Sequence, residues 1–112
     1  RKFVRVKFPC EICVDIPQNE VISTHTENIS AGGIRVILEQ KLQTAAIISL
    51  TIYKITENPI ICKGRIVWIF TRRHPHNKDA SLFDTGIEFC EIADEDISRI
   101  KKFVLSVISD QE

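Results

Sequence analysis

The sequence lacks the features that mark several large classes of protein. Lys and Arg together number 15, as do Asp and Glu, so no net charge draws the whole chain to DNA, RNA or an anionic membrane. No apolar run approaches the roughly 20 residues of a membrane-spanning helix, and the first residues do not resemble a signal peptide. We therefore expect a cytoplasmic protein without a membrane segment, in which any site for an anion is local.

Cysteine is also scarce. Cys10, Cys13, Cys62 and Cys90 are too few and too irregularly spaced for a disulfide scaffold, which favours a reducing compartment. Cys10 and Cys13 form a C-x-x-C pair, but both fall in an alternating strand pattern, where residues three apart point to opposite faces. We interpret the four residues as small apolar side chains rather than as metal ligands.

The sequence has no cluster of residues typical of a catalytic or metal site. The segment 74–76, His-Pro-His, has no acidic or cysteine partner at a recognised spacing, so a solvated loop is the better interpretation. The carboxylates of Asp94, Glu95 and Asp96 come where the start of a helix attracts acidic residues. We expect no catalytic residues, no metal and no enzymatic activity.

The chain does have the length and composition of one folded domain, with 112 residues of which 44% are hydrophobic. Alternation of apolar and polar residues predicts six β-strands, and one segment near the end has the spacing of an amphipathic helix. The strands are predicted at 4–16, 21–27, 34–38, 47–55, 60–71 and 81–89, and the helix at 94–109. Strands without helices between them exclude a parallel α/β fold and favour a sandwich or a small closed barrel.

Two features are harder to explain as structure alone, and the first is a pair of arginines. Arg1 and Arg5 stand four residues apart in the N-terminal arm, 1–8, where even spacing puts both on one side of the first strand. An arginine presents five donors in a planar fork that fits phosphate oxygens, pairs with guanine O6 and N7, or stacks on a purine. By itself, however, the pair is more simply a solvated basic end.

The second feature is the segment 28–33, Asn-Ile-Ser-Ala-Gly-Gly, between the second and third predicted strands. Asn28 and Ser30 carry short polar side chains that can bind a base or ribose, or stabilise a turn locally. Gly33 permits a positive φ, or a backbone close to a ligand with no Cβ in the way. Taken alone, this segment favours a hairpin turn.

Together, in this order and at this distance, the two features resemble the signature of the PilZ family of cyclic di-GMP receptors, R-x-x-x-R followed by [DN]-x-S-x-x-G. All five signature positions are matched, by Arg1, Arg5, Asn28, Ser30 and Gly33. The segments 64–68, Gly-Arg-Ile-Val-Trp, and 86–89, Gly-Ile-Glu-Phe, are similar to later strands of the family. The resemblance therefore covers almost the whole chain.

The resemblance implies a fold that agrees with the strand count from periodicity. It is a single PilZ-like domain over 1–112, a six-stranded antiparallel β-barrel with one C-terminal α-helix. The arginine arm leads into its first strand.

The resemblance also implies the ligand. The arginines would clamp the phosphates and guanine of cyclic di-GMP, while the Asn-x-Ser-x-x-Gly residues would meet guanine and ribose at the barrel surface. Lys2, Gly32 and Arg35 are expected as supporting neighbours, and Trp68 as a core or barrel-wall residue rather than a stacking platform. Lys2 stands where many family members have a further arginine. In the family, residues just upstream of the first motif influence whether one or two ligand molecules bind, so the sequence from Arg1 onward leaves this number open.

By this resemblance the chain is a binding module that senses a bacterial second messenger without a cofactor. It relays binding by conformational change to an unidentified protein partner or attached domain, and DNA or RNA is not expected as a partner. The chain begins at Arg1 rather than methionine, which is what we expect of a trimmed chain or of one domain of a longer protein.

Two alternatives remain open from the sequence. One is a PilZ-like protein-interaction module that does not bind the nucleotide, which the intact motifs disfavour. The other is a barrel that binds single-stranded nucleic acid through a basic groove with stacking aromatics, which the zero net charge, one Trp and one Tyr make weak.

Overall fold

A computed structural model describes residues 3–18 and 20–111 of the chain, with the backbone alone for Gln111. Within these residues the strands are β1 (Arg5–Val6), β2 (Glu11–Asp15), β3 (Val21–Ser30), β4 (Gly33–Leu38), β5 (Ile47–Ile52), β6 (Ile60–Arg73) and β7 (Ser81–Glu91), and helix α1 spans Asp94–Gln111. None of the helical structure in the described ranges is long and apolar enough to cross a membrane.

All strand pairs are antiparallel, and the sheet closes on itself. β2 lies between β3 and β5, then β6, β7 and β4 follow in order, and pairing of β4 with β3 completes the ring. β1 and β2 pair with the same edge of β3, β1 opposite Ile29 and Ser30 and β2 opposite 21–25. They are two parts of one interrupted strand, so the predicted six-stranded antiparallel barrel with a C-terminal helix is confirmed.

The interruption of the first strand comes from Pro9, which has no N–H to donate to a ladder. The N–H of Cys10 donates instead to the Phe8 carbonyl at 3.0 Å and to the Thr26 hydroxyl at 2.9 Å. The Thr26 hydroxyl in turn donates to the Phe8 carbonyl at 2.6 Å. Thr26 is only 2% exposed, so a buried side chain takes over the hydrogen bonds that the ladder loses here.

The core fills the barrel and extends beneath one face of α1. Its fully buried large side chains from the strands are Ile12, Val14, Ile29, Val36, Ile48, Leu50, Ile52, Ile60 and Ile66. Ile100, Val104 and Val107 of α1 join the same cluster. In addition, the ring of Phe103 on α1 meets that of Phe8 edge to face, with 5.0 Å between centroids.

Two cysteines serve as small apolar residues of this core, as the sequence indicates. Cys10 and Cys62 are buried, and neither forms a disulfide. Burial raises the pKa of the Cys10 thiol to about 11 and that of Cys62 to about 12. Both thiols therefore stay protonated at neutral pH, which makes them poor nucleophiles and poor metal ligands.

Candidate functional site

A cavity of about 480 Å³ opens on the outer surface of the barrel, across β3, β4, β6 and β7. Six of the residues that the sequence predicts at a ligand site line it: Arg5, Asn28, Ser30, Gly32, Gly33 and Arg35. Arg1 and Lys2 lie outside the described residues. The structure thus brings together every predicted site residue that it describes.

A β-bulge in β3 determines which side chains face the cavity. Thr26 lies opposite Val36 and Asn28 lies opposite Arg35, so Glu27 is an extra residue in the ladder. Strict alternation would put Thr26 and Asn28 on the same side of the strand. With the bulge, the Thr26 side chain is buried against the first strand, whereas Asn28 turns to the cavity wall.

The connection between β3 and β4 is a tight turn held by Ser30. The Ser30 hydroxyl accepts a hydrogen bond from the Gly32 N–H at 3.1 Å, so this side chain shapes the turn as well as lining the cavity. Arg5 lies directly opposite Ser30 in the ladder, which places the second arginine of the arm beside the turn.

Gly33 does not adopt a positive φ, so the first of the two reasons for glycine that the sequence allowed does not apply. Its missing side chain is explained instead by the neighbouring strand, because a Cβ here would overlap the main-chain carbonyl oxygen of Ile87 and lie 3.1 Å from the Cα of Glu88. Glycine at this position lets β4 approach β7 closely and leaves the cavity floor without a side chain.

Trp68 lines the cavity, which the sequence did not predict. A second bulge makes Val67 an extra residue, so Ile66 lies opposite Ile87 and Trp68 lies opposite Gly86. A Cβ at Gly86 would overlap Nε1, Cε2 and Cζ2 of the indole, so the ring packs directly against this glycine. Trp68 is a barrel-wall residue, as expected, but its ring also lines the cavity. The one sign of this position in the sequence is Gly86, the residue opposite Trp68. That pairing can be recognised only once the strand register is known.

Arg35 is held by a bidentate ion pair. Its Nε and Nη2 donate to the two carboxylate oxygens of Asp84, both at 2.7 Å, and Nη1 of Arg72 lies 3.6 Å from the same carboxylate. The hydrogen bonds from Arg35 lower the pKa of Asp84, burial opposes them, and the charges of both arginines add to the lowering. The same pair raises the pKa of Arg35. Arg35 is therefore held in an ion pair with Asp84 even without a ligand.

We expect Asp84→Asn to lower the free energy of unfolding at pH 7 by about 1.5–3 kcal/mol, because it removes hydrogen bonds between charged groups. The pKa of Asp84 is depressed in the folded state, so its contribution is complete above the ordinary carboxyl pKa of about 3.9 and is lost as the pH falls through the lower, folded-state value. Urea unfolding at pH 7 and in steps below pH 4 measures this difference. Asp79→Asn, which neutralises an exposed carboxylate on the loop after β6, is the matched control. Equal stability of Asp84→Asn and wild type at pH 7 would contradict the role given to the pair.

The charges around the cavity favour an anion. Arg5 and Arg35 lie on its wall, and the nearest carboxylate that lines it, Glu88, has Nη1 of Arg65 at 3.8 Å. The Asp84 carboxylate is occupied by Arg35 and Arg72. Although the chain has no net charge, the cavity is thus locally cationic, and an amide, a hydroxyl, an indole and glycine backbone lie beside its guanidinium groups.

Comparisons with known proteins give one consistent result. The model of the PilZ domain family matches residues 1–106. The structure is similar to that of the Bacillus subtilis inhibitor of motility MotI, with a TM-score of 0.82 and 22% identity over 100% of this chain and 53% of that one. No curated protein sequence matches the chain.

Two further solved structures are similar, and both hold c-di-GMP. The PilZ domain of YcgR from Escherichia coli with c-di-GMP has a TM-score of 0.74 and 14% identity, over 99% of this chain and 93% of that one. The MrkH–c-di-GMP complex from K. pneumonia has a TM-score of 0.77 and 16% identity, over 99% of this chain and 53% of that one. The chain thus spans about half the length of MotI and MrkH.

Proposed function

The chain belongs to the PilZ domain family, and from this premise we propose that it is a receptor that binds cyclic di-GMP in the cavity across β3, β4, β6 and β7. One observation carries the proposal. The described positions of the R-x-x-x-R and N-x-S-x-x-G motifs, which are more than twenty residues apart in the sequence, converge on one cationic cavity. The solved complexes of YcgR and MrkH with c-di-GMP support the choice of ligand.

In this proposal different polar residues bind different parts of the ligand. Arg5, together with Arg1, clamps the phosphates and a guanine edge, for which the guanidinium fork is suited. Asn28 and Ser30 hydrogen bond guanine and ribose, and Gly33 lets the ligand approach the main chain. Arg35 donates from Nη1, which has no other partner in the part of the chain that the structure describes.

Trp68 adds an apolar surface to this set. Trp68 is half-buried, packs against Gly86 and Phe70, and lines the cavity beside the guanidinium groups. Stacking of a base on an aromatic ring contributes about 1–3 kcal/mol. We propose that a guanine of the ligand packs against this indole, although the sequence favoured a core or barrel-wall residue over a stacking platform.

The output of the receptor is a change of surface rather than a reaction. Phe3 in the arm already lies against Gly32, because a Cβ on this glycine would meet the Phe3 ring at 2.5 Å. We propose that the ligand draws the arm further onto the barrel and that the altered surface changes contacts with a protein partner or attached domain in the bacterial cytoplasm. The proposal needs no catalytic residue, metal or cofactor, and no DNA or RNA.

An NMR titration of the ¹⁵N-labelled protein with cyclic di-GMP tests where the ligand binds. We expect saturable shifts of the amide signals of Asn28, Ser30 and Gly33 and of the Trp68 indole N–H. Signals of 48–52 on β5, which contributes no residue to the cavity wall, should stay in place. GMP at the same concentration is the control for a single phosphate and guanine. Shifts confined to residues outside the cavity would contradict the proposed site.

A further inference from the structure

The far half of β6 has one edge without a partner strand. β5 pairs with β6 only from Ile60 to Arg65, and the last main-chain bonds on that side join Ile66 to Ala45 and Ala46. Beyond this point, Val67 is the bulged residue and 68–73 pairs with β7 alone. Throughout the described ranges, no other strand lies along this edge of β6. Main-chain N–H and C=O groups that point away from β7 here are therefore available to a further strand.

This open edge, residues 67–73, also exposes apolar side chains. Phe70 is 65% exposed and Val67 is 41% exposed. The Phe70 ring lies beside Trp68, with 5.3 Å between the ring centroids, so the two aromatic residues form one continuous surface. Large apolar groups beside unpaired main chain are what a docking strand would cover.

The charge at this end of the β6–β7 hairpin is mostly positive. Arg72, Arg73 and Lys78 lie on the edge and its connecting loop, and Asp79 is the single carboxylate between 67 and 83. Asp84, the next one, is already occupied by Arg35 and Arg72. Because the chain as a whole is neutral, this end is a local cationic patch that fits an acidic partner.

We propose that the open edge of β6 binds an extended, acidic polypeptide segment, which adds to the barrel as one more β-strand. The free main chain favours a polypeptide over a nucleic acid, since a nucleic acid cannot continue a β-ladder. The cationic patch favours an acidic segment over a second copy of the same cationic edge. Val67 and Trp68 belong both to this edge and to the cavity wall. Binding of the acidic segment to the edge does not, however, require a nucleotide in the cavity.

A labelled peptide that alternates glutamate and valine over eight residues serves as the probe. We expect it to bind with slowed hydrogen exchange at amides within 67–73, and with an affinity that falls as salt is added. Arg73→Glu should weaken binding at least fivefold, since it reverses a charge on the edge itself. Lys101→Glu, the same charge change on the exposed face of α1, should leave the affinity unchanged.

Three results would overturn the proposal. The first is equal binding of the same peptide with alternate main-chain nitrogens methylated, because that peptide cannot form the ladder. The second is binding of an oligothymidine of eight nucleotides without binding of the peptide at millimolar concentration. The third is concentration-dependent dimerisation in sedimentation that protects 67–73 without any peptide, which would make a second copy the partner.

Discussion

We expect Arg5→Ala to lower the proposed affinity for cyclic di-GMP by about ten- to a hundredfold. Arg5 lies opposite Ser30 on the cavity wall, and hydrogen bonds from a charged group contribute about 1.5–3 kcal/mol each. Since Arg5 is exposed at the barrel surface, its removal should change the free energy of unfolding by less than about 0.5 kcal/mol. Calorimetric titration of both proteins, with urea unfolding alongside, separates the two effects.

Lys7→Ala is the control for Arg5→Ala. Lys7 lies two residues further along the arm, and its positively charged side chain does not line the cavity. The affinity of this variant should stay within about twofold of wild type, as expected for a screened surface charge. If the two variants bind cyclic di-GMP equally well, Arg5 contributes no more than a surface charge, which would contradict its proposed contact with the ligand.

Gly33→Ala destabilises the barrel by about 1–3 kcal/mol or more, the range for a side chain forced into a closely packed site. The added methyl group would overlap the carbonyl oxygen of Ile87, which belongs to the main chain of β7 and cannot rotate away. Ligand binding should weaken as well, since relief of this overlap requires β4 to move away from β7 at the cavity. Urea unfolding and calorimetry measure the two losses.

Gly32→Ala is the matched control for that substitution. Its methyl group meets the ring of Phe3, a half-exposed side chain on the arm, so the cost should stay below about 1 kcal/mol. A loss of stability at Gly33 no larger than that at Gly32 would show that close approach of β4 and β7 is not what requires the glycine.

Periodicity alone was enough to predict six strands and a C-terminal helix, because most strands keep strict alternation, whereas the choice of a barrel over a sandwich came from the family resemblance. The pattern at 11–15 and 60–66 alternates buried and exposed residues almost without exception, and these segments form β2 and the first half of β6. The break at Pro9 was not predicted, since the apolar residues on either side of it stay in phase. Only the bonds from Thr26, sixteen residues further along the chain than Cys10, show how the break is accommodated.

The site was predictable only in part, and the two bulges explain why. An extra residue at Glu27 reverses the phase of β3, so alternation counted from Thr26 would have turned Asn28 toward the core. The extra residue at Val67 does the same for Trp68. The motif resemblance identified Asn28 without any knowledge of the bulge, whereas no motif pointed to the indole.

Arg35 shows a different limit of sequence reasoning. Its position just after the turn suggested a supporting contact, but its carboxylate partner, Asp84, lies 49 residues away along the chain. Such a pair follows from the order of strands, in which β4 lies beside β7, and from the register that sets Arg35 opposite Gly86. Neither can be read from local patterns of polarity.

The central claim is that the cationic cavity beside the β3–β4 turn binds cyclic di-GMP, and calorimetric titration of the unaltered protein with this nucleotide tests it most directly. We predict a saturable heat signal that is lost with GMP and reduced in Arg5→Ala. No heat from the intact protein, with no amide shifts at Asn28 and Ser30, would contradict the claim and leave a PilZ barrel that does not bind the nucleotide.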